Sequence, residues 1–383
     1  MFDKSKFIFP VKEEYIYLNN CGVSPIYSGA WRAASYFQEK RSHKGAAVFS
    51  EYGGMLTELH ENIASFVDTA RENISFVKNT AEGMSLLANG YPFEKGDEII
   101  SYIHEYPSNH YPWRLQENRG VKLKLLPNDY TGNESKENRP LGFSFETLKK
   151  MVTDKTRIIA LSHVQFTSGF AADLSQLGNF CHENNIDLIL DTAQSLGCLP
   201  IFPEKHHISA FAASGWKWLL GPLGSGILYT SENFRNKIEI TMAGADIVKQ
   251  GEDYLNHSWQ PHADGRKFEY STIEAANAIS LNQCFLDLFN RYGSENIKNE
   301  IFRLQDIFLK NIDDDKYKHL IFDKEHRSGI LSFIVKNPEN IVKAALSEKL
   351  FLSGRGGYLR VAPHFYNDDY EIEKAANILN NLE

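Results

Sequence analysis

Cysteine is scarce in this chain: Cys21, Cys181, Cys198 and Cys284 are the only four in 383 residues. They are scattered, with neither the spacing of a zinc site nor the density of a disulfide scaffold, and a reducing, cytoplasmic setting fits them best. An excess of basic charge is also missing. Lys and Arg total 41 against 49 Asp and Glu, a net charge of −8, and no basic stripe appears. That argues against nucleic acid or an anionic membrane surface as a partner. No charge-free apolar run approaches the ~18 residues of a membrane span. The stretch from Met1 to Lys12 lacks the apolar centre of a secretion signal. His206-His207, His257 and His262 have no companion spacing for a metal, so none is expected. Gly221 to Gly226 lacks the Gly-Lys-Ser/Thr ending of a P-loop.

What the chain does have is material for a core. Apolar residues make up 42% of it, enough for one large α/β domain with an appendage. Short apolar runs at Ile74–Val77, Glu98–Ser101, Val121–Leu125, Arg157–Ser162 and Ile186–Leu190 read as strands, with amphipathic helices between them. One such helix follows Asp173 as N-cap, with Gln176 three residues on. Repeated βαβ units predict a mostly parallel sheet with helices on its faces. After Tyr229 the rhythm weakens. Gly251 to Lys267 is polar and irregular, Ser271 to Asn290 reads as one long helix, and Ile330–Val335, Tyr358–Val361 and a helix from Asp368 form a smaller α+β unit. The expected division is a large domain over 16–255 and a small one from 1–15 and 256–383.

Lys217 lies in Ser214-Gly215-Trp216-Lys217-Trp218-Leu219-Leu220-Gly221, an apolar, glycine-punctuated run. An unpaired buried ammonium costs several kcal/mol, so such a lysine is neutralised, paired or covalently used. A desolvated lysine with a lowered pKa suits Schiff-base chemistry. Asp191, 26 residues earlier, ends a strand, where ligands of open α/β sheets bind. A Schiff-base lysine with an acid for a pyridinium nitrogen is the constellation of pyridoxal phosphate enzymes. Asn79-Thr80-Ala81-Glu82-Gly83 opens a helix after a strand, and a helix N-terminus suits a phosphate. Arg360, in Tyr358-Leu359-Arg360-Val361, carries a guanidinium able to hold a carboxylate bidentately, and Arg355 is a second candidate cation.

From about Tyr15 onward these segments resemble the class V aminotransferase family of fold-type I pyridoxal phosphate enzymes, which includes cysteine desulfurases, selenocysteine lyases, kynureninases and isopenicillin N epimerase. The resemblance implies a seven-stranded-type sheet, pyridoxal 5′-phosphate on Lys217, and a homodimer with shared active sites. It implies that Thr80, Ala81 and Ser214 bind the phosphate, Tyr106 and Ala193 flank the ring, and Asp191 meets the ring nitrogen. Gln194 would reach the ring hydroxyl, and Gln165 the same group or the substrate. Thr272 would reach the partner's phosphate; its alternative is a plain helix N-cap. Arg360, with Arg355 as second candidate, would bind the substrate carboxylate. Trp216 stands where relatives carry His and cannot act as an acid or base; Tyr106 also replaces a His.

Cysteine desulfurases need a nucleophilic Cys shortly before the carboxylate-binding Arg, and Leu346 to Leu359 contains none. The expectation is therefore a lyase, by β-elimination and with C–S cleavage as one form, or an aminotransferase, acting on a small amino acid rather than forming a persulfide. The alternatives are an epimerase of the isopenicillin N type, a non-catalytic protein that binds the cofactor, and a cofactor-free Schiff-base enzyme.

Overall fold

The computed structural model describes residues 2–130, 139–251 and 253–382. Most of the polar loop expected between Asn128 and Pro140 falls outside these. The first strand, β1 (Ile16–Tyr17), is short. The main sheet follows from β2 (Ile74–Val77), β3 (Glu98–Tyr102), β4 (Lys122–Leu126), β5 (Thr156–Ser162), β6 (Asp187–Asp191), β7 (Ala210–Ser214) and β8 (Gly226–Thr230). Their spatial order is β2-β8-β7-β6-β5-β3-β4. Pairs from β7 to β4 are parallel, and β8 runs antiparallel to both its neighbours. Strands β2, β3, β6, β7 and β8 are buried along their whole length, as expected of a sheet covered on both faces.

Capping fixes where the crossover helices begin. Asn79 accepts from the Glu82 N–H and starts the helix Thr80–Gly90. Asp173 accepts from the Ser175 and Gln176 N–H groups and starts Leu174–Glu183. All strands except β8 end on one edge of the sheet. Asp191 and Ser214 are the last residues of β6 and β7, and the helix at Thr80 begins just past β2.

A smaller antiparallel sheet contains β9 (Lys318–His319) and β10 (Leu331–Ile334). After β11 (Leu350–Phe351), which pairs in parallel with β1, come β12 (Ser353–Arg355) and β13 (Tyr358–Val361). Its order is β12-β13-β10-β9. Helices Ser294–Asn311 and Asp369–Asn381 cover it, burying Leu304, Phe308, Ile372 and Leu379 against Phe333 and Leu359.

The long helix expected from Ser271 begins at Ala275 and continues through a π turn, Phe285–Phe289, to Tyr292. Glu274, with extended backbone, is its N-cap, so the first four residues of the expected helix lie outside it. Leu281, Phe285 and Phe289 share a core with Leu59, Ile63 and Phe66. A division at residue 256 thus gives the smaller unit a helix whose packing lies with the larger one. No helix among the described residues is long and apolar enough to cross a membrane.

Candidate active site

The strand ends open into a cavity of about 690 Å³, within the size range of small-molecule sites. Lys217 enters it from a tight loop after β7. The Gly215 N–H donates to Ser225 O (2.8 Å), the Gly221 N–H to Gly215 O (2.8 Å), and the Leu220 N–H to Lys217 O (3.0 Å). A Cβ at Gly215 would lie 2.2 Å from Ser225 Oγ, so a side chain there has no room. The outside of the loop is pinned by N–H groups of Ser24 and Tyr27, which donate to the Trp216 and Leu220 carbonyls at 2.9 Å. His364 adds a third pin. Its Nδ1 accepts from the Phe365 N–H, so Nε2 carries the proton and donates to Trp218 O (2.9 Å).

The Lys217 amine makes no hydrogen bond or ion pair among the described residues; its Nζ lies 5.3 Å from the centroid of the Tyr106 ring. Burial depresses its pKa, and the attraction of Asp191 opposes that only in part. Asp191 is the mirror case. Burial raises its pKa, while Lys217 and the Ala193 N–H, which donates to Oδ1 at 2.8 Å, pull the other way. The cavity therefore sets an amine with a lowered pKa opposite an acid with a raised one.

At one end stands the start of helix Thr80–Gly90. Asn79 satisfies the Glu82 N–H, which leaves the Thr80 and Ala81 N–H groups at the positive end of the helix dipole. The Thr80 and Ser214 hydroxyls lie 2.8 Å apart. Two hydroxyls and free N–H groups at a helix start form an oxyanion cradle.

At the other end is Arg360, 3% exposed. Nη1 donates to the Phe166 carbonyl, Nη2 to Ser353 Oγ (2.9 Å), and Nε has no partner. No carboxylate pairs with it among the described residues. A buried, incompletely bonded guanidinium is a receptor for an anion.

Lys217, Asp191, Thr80, Ala81, Tyr106, Ala193, Gln194, Ser214, Trp216, Arg360 and Arg355 all line the cavity. The Gln194 amide is already engaged, donating to Cys21 O (2.8 Å) and accepting from Trp218 Nε1 (3.2 Å). Two residues fall elsewhere. Gln165 is buried behind the wall, its Nε2 donating to Glu105 (3.0 Å), and Phe166 takes the place at the cavity. Thr272 is exposed and away from the cavity of its own chain. It is not the helix cap either, since Glu274 holds that position. Asn19, Gly22, Val23, Tyr17, Phe351 and Ser353 line the cavity without being singled out by the sequence, and so does Cys21, which reads there only as one of four scattered cysteines.

A model of the aminotransferase class-V family matches residues 16–354. The chain belongs to this family. A probable cysteine desulfurase of Methanothermobacter thermautotrophicus is 25% identical, over 97% of this chain and 96% of that protein. Among solved structures, a lysine-to-alanine mutant of C-DES with glycine covalently linked to its pyridoxal phosphate superposes with a TM-score of 0.90 at 20% identity, covering 99% and 100% of the two chains. The cystine C–S lyase C-DES with its product cysteine persulfide gives 0.88 at 20%, covering 97% and 99%. At such identity the solved structures show the fold alone, a fold-type I architecture. The relative's name gives no support to the expectation that desulfurase chemistry is excluded here.

The cofactor is pyridoxal 5′-phosphate, that of the class-V family. The cavity fits it on its own terms. The oxyanion cradle of Thr80 and Ser214 suits a phosphate, Asp191 a ring nitrogen, the unpaired Lys217 amine an aldehyde, and the Ala193 and Tyr106 walls an aromatic ring. Among the described residues no cluster of His, Cys, Asp or Glu could hold a metal.

Proposed function

We propose that this protein is a lyase or aminotransferase that takes the Cα proton from a small amino acid. One observation carries the reading: an unpaired lysine amine and a buried guanidinium without a counter-ion face a single cavity. When bound, the cofactor supplies an electron sink for the pair left on Cα. Thr80, Ser214 and the N–H groups of Ala81 and its neighbour hold the phosphate. Asp191 keeps a proton on the ring nitrogen. Arg360 takes the α-carboxylate and with it sets which Cα bond faces the sink. Lys217, its pKa lowered by burial, is the base that removes the Cα proton and the acid that returns it. Arg355, at the rim, is a second, more exposed cation for anionic groups of the substrate. Thr272, turned away from its own cavity, is assigned to the phosphate of a partner subunit in a homodimer.

Epimerisation needs proton donors on both faces of Cα. Tyr106 is the candidate for the second, and its ring stands beside the Lys217 amine, which weakens that reading. A second reading, persulfide formation, is favoured by one observation. Cys21 faces the cavity with Sγ 3.9 Å from Ser353 Oγ, the hydroxyl that also accepts from Arg360.

Two experiments test these assignments. Borohydride reduction of the loaded protein followed by peptide mapping should put the pyridoxyl mass on the peptide carrying Lys217; an unmodified peptide removes Lys217 from the chemistry. Incubation with cysteine should yield pyruvate, ammonia and sulfide if the protein eliminates, and should do so in Cys21→Ala. Alanine as product, lost in Cys21→Ala, selects persulfide formation instead.

A further inference from the structure

One buried acid is left unused by the chemistry above. Glu105 is 8% exposed and sits just past β3. Its carboxylate accepts from the Ser162 N–H (2.8 Å), the Ser162 hydroxyl, Gln165 Nε2 (3.0 Å) and Asn109 Nδ2 (3.1 Å). All four donors are neutral, and no Lys or Arg pairs with it among the described residues. Four hydrogen bonds fill the accepting capacity of a carboxylate. Burial nonetheless pushes its pKa up to about 7. An apolar side chain would fill a purely structural position at lower cost.

The placement of its partners gives this acid a task. Glu105 immediately precedes Tyr106, and Asn109 closes the same turn. Ser162 ends β5, and Gln165 immediately precedes Phe166. The two loops meet across the cavity wall, where the Tyr106 and Phe166 rings stand edge to face at 5.2 Å. The Phe166 carbonyl is the seat of Arg360 Nη1. The Gln165 amide cannot turn over, because reversal would set its Oε1 against the Glu105 carboxylate.

We propose that Glu105 is a positioning residue for substrate binding: it clamps the Tyr106 and Phe166 loops together and so holds the carbonyl on which Arg360 rests. The proposal rests on the reading that Arg360 receives the substrate carboxylate.

The test is Glu105→Gln in the cofactor-loaded enzyme. The isosteric amide turns an acceptor toward the donors of Ser162 and Asn109 into a donor. KM for the amino acid substrate should rise about tenfold, the loss of roughly one hydrogen bond's alignment. Turnover number, visible circular dichroism of the bound cofactor and melting temperature should stay close to wild type. Gln165→Met, which cuts the same link from the other side, should give the same rise. In an Arg360→Lys background Glu105→Gln should add nothing further. An unchanged KM in Glu105→Gln and Gln165→Met overturns the proposal, as does a KM rise that adds to that of Arg360→Lys. A parallel loss of turnover and melting temperature does the same, since it marks a structural role only. A wild-type KM in Arg360→Lys alone removes the carboxylate reading, and the proposal with it; a raised KM there with none in Glu105→Gln removes the proposal only.

Discussion

Replacing Arg360 with glutamine should weaken substrate binding and strengthen the fold. In the free protein the guanidinium is almost fully buried and, among the described residues, has no carboxylate partner and leaves Nε without an acceptor. Its two hydrogen bonds, to Phe166 O and Ser353 Oγ, recover part of a desolvation cost of several kcal/mol. A neutral side chain avoids most of that cost and loses about 3 kcal/mol of charge-assisted hydrogen bonding, the low end for two such bonds. The net expectation is a gain of about 1 kcal/mol, or roughly 1 °C in melting temperature for a chain of this length. Binding moves the other way. Truncating one partner of a buried charge pair costs about 2–5 kcal/mol, and a mid-range loss of about 3 kcal/mol is roughly a 150-fold rise in KM. Steady-state kinetics and scanning calorimetry on the same substrate-free preparation measure both effects. A raised KM with a melting temperature lowered by several degrees would show Arg360 to be a structural strut between Phe166 and Ser353. An unchanged KM would place the carboxylate elsewhere.

Other outcomes follow from the same site. Only the neutral form of Lys217 can accept the Cα proton, and its amine is free only once substrate has taken its place on the cofactor, so kcat should climb with pH through a midpoint well below the ordinary lysine value of 10.5; Lys217→Ala should abolish turnover, and a limb that stays near 10.5 would deny the burial effect. Thr80→Ala and Ser214→Ala should each weaken cofactor affinity by about 1–2 kcal/mol, roughly tenfold, as read by fluorescence titration of the apoprotein, with unaltered affinity moving the phosphate elsewhere. His364 is buried and its pKa is lowered to about 4 from 6.5, so the unfolded chain binds the proton first as pH falls and the His364 contribution to stability is lost between those values. The stability advantage of wild type over His364→Gln should therefore shrink by about 2 kcal/mol from pH 7 to pH 5 in denaturant melts, and a constant gap would mean that the imidazole is solvated.

Five of the seven main-sheet strands were legible because buried strands read as short apolar runs, as at Ile158–Leu161 and Leu188–Leu190; Ala210–Ser214 and Gly226–Thr230, short and rich in Ala, Ser and Gly, were not picked out. Lys217, Asp191 and Thr80 were legible for a related reason, as each ends or follows such a run on the same sheet edge. The missed wall of the cavity comes from long-range pairing. Tyr17 and Phe351 meet because β1 pairs with β11, and Asn19 is brought in by a bridge to Ala362. No local pattern carries that register. Gln165 was misjudged by one position: past the end of β5 the chain turns so that Phe166 faces the cavity and Gln165 faces Glu105. Thr272 could not be placed because its environment in a single chain is solvent.

The residues that were readable do not decide the reaction. A phosphate cradle, an acid at a ring nitrogen, an amine and a carboxylate receptor serve elimination and transamination alike, because they answer to the cofactor and to the substrate's α-amino acid end. Choice between outcomes must come from what touches the substrate side chain and what admits water. That surface is largely apolar here, with Tyr17, Val23, Phe166 and Phe351 at the rim and Cys21 and Arg355 as its reactive or charged exceptions. An apolar rim favours a side chain that tolerates desolvation, such as a thiol or thioether, over one carrying a cation, which Arg355 and Arg360 would also repel. On the proposed reading, selectivity would lie in the segments that β1 and β11 bring together, and substitutions at Tyr17 or Phe351 should redirect substrate choice while leaving Lys217 and Asp191 their work.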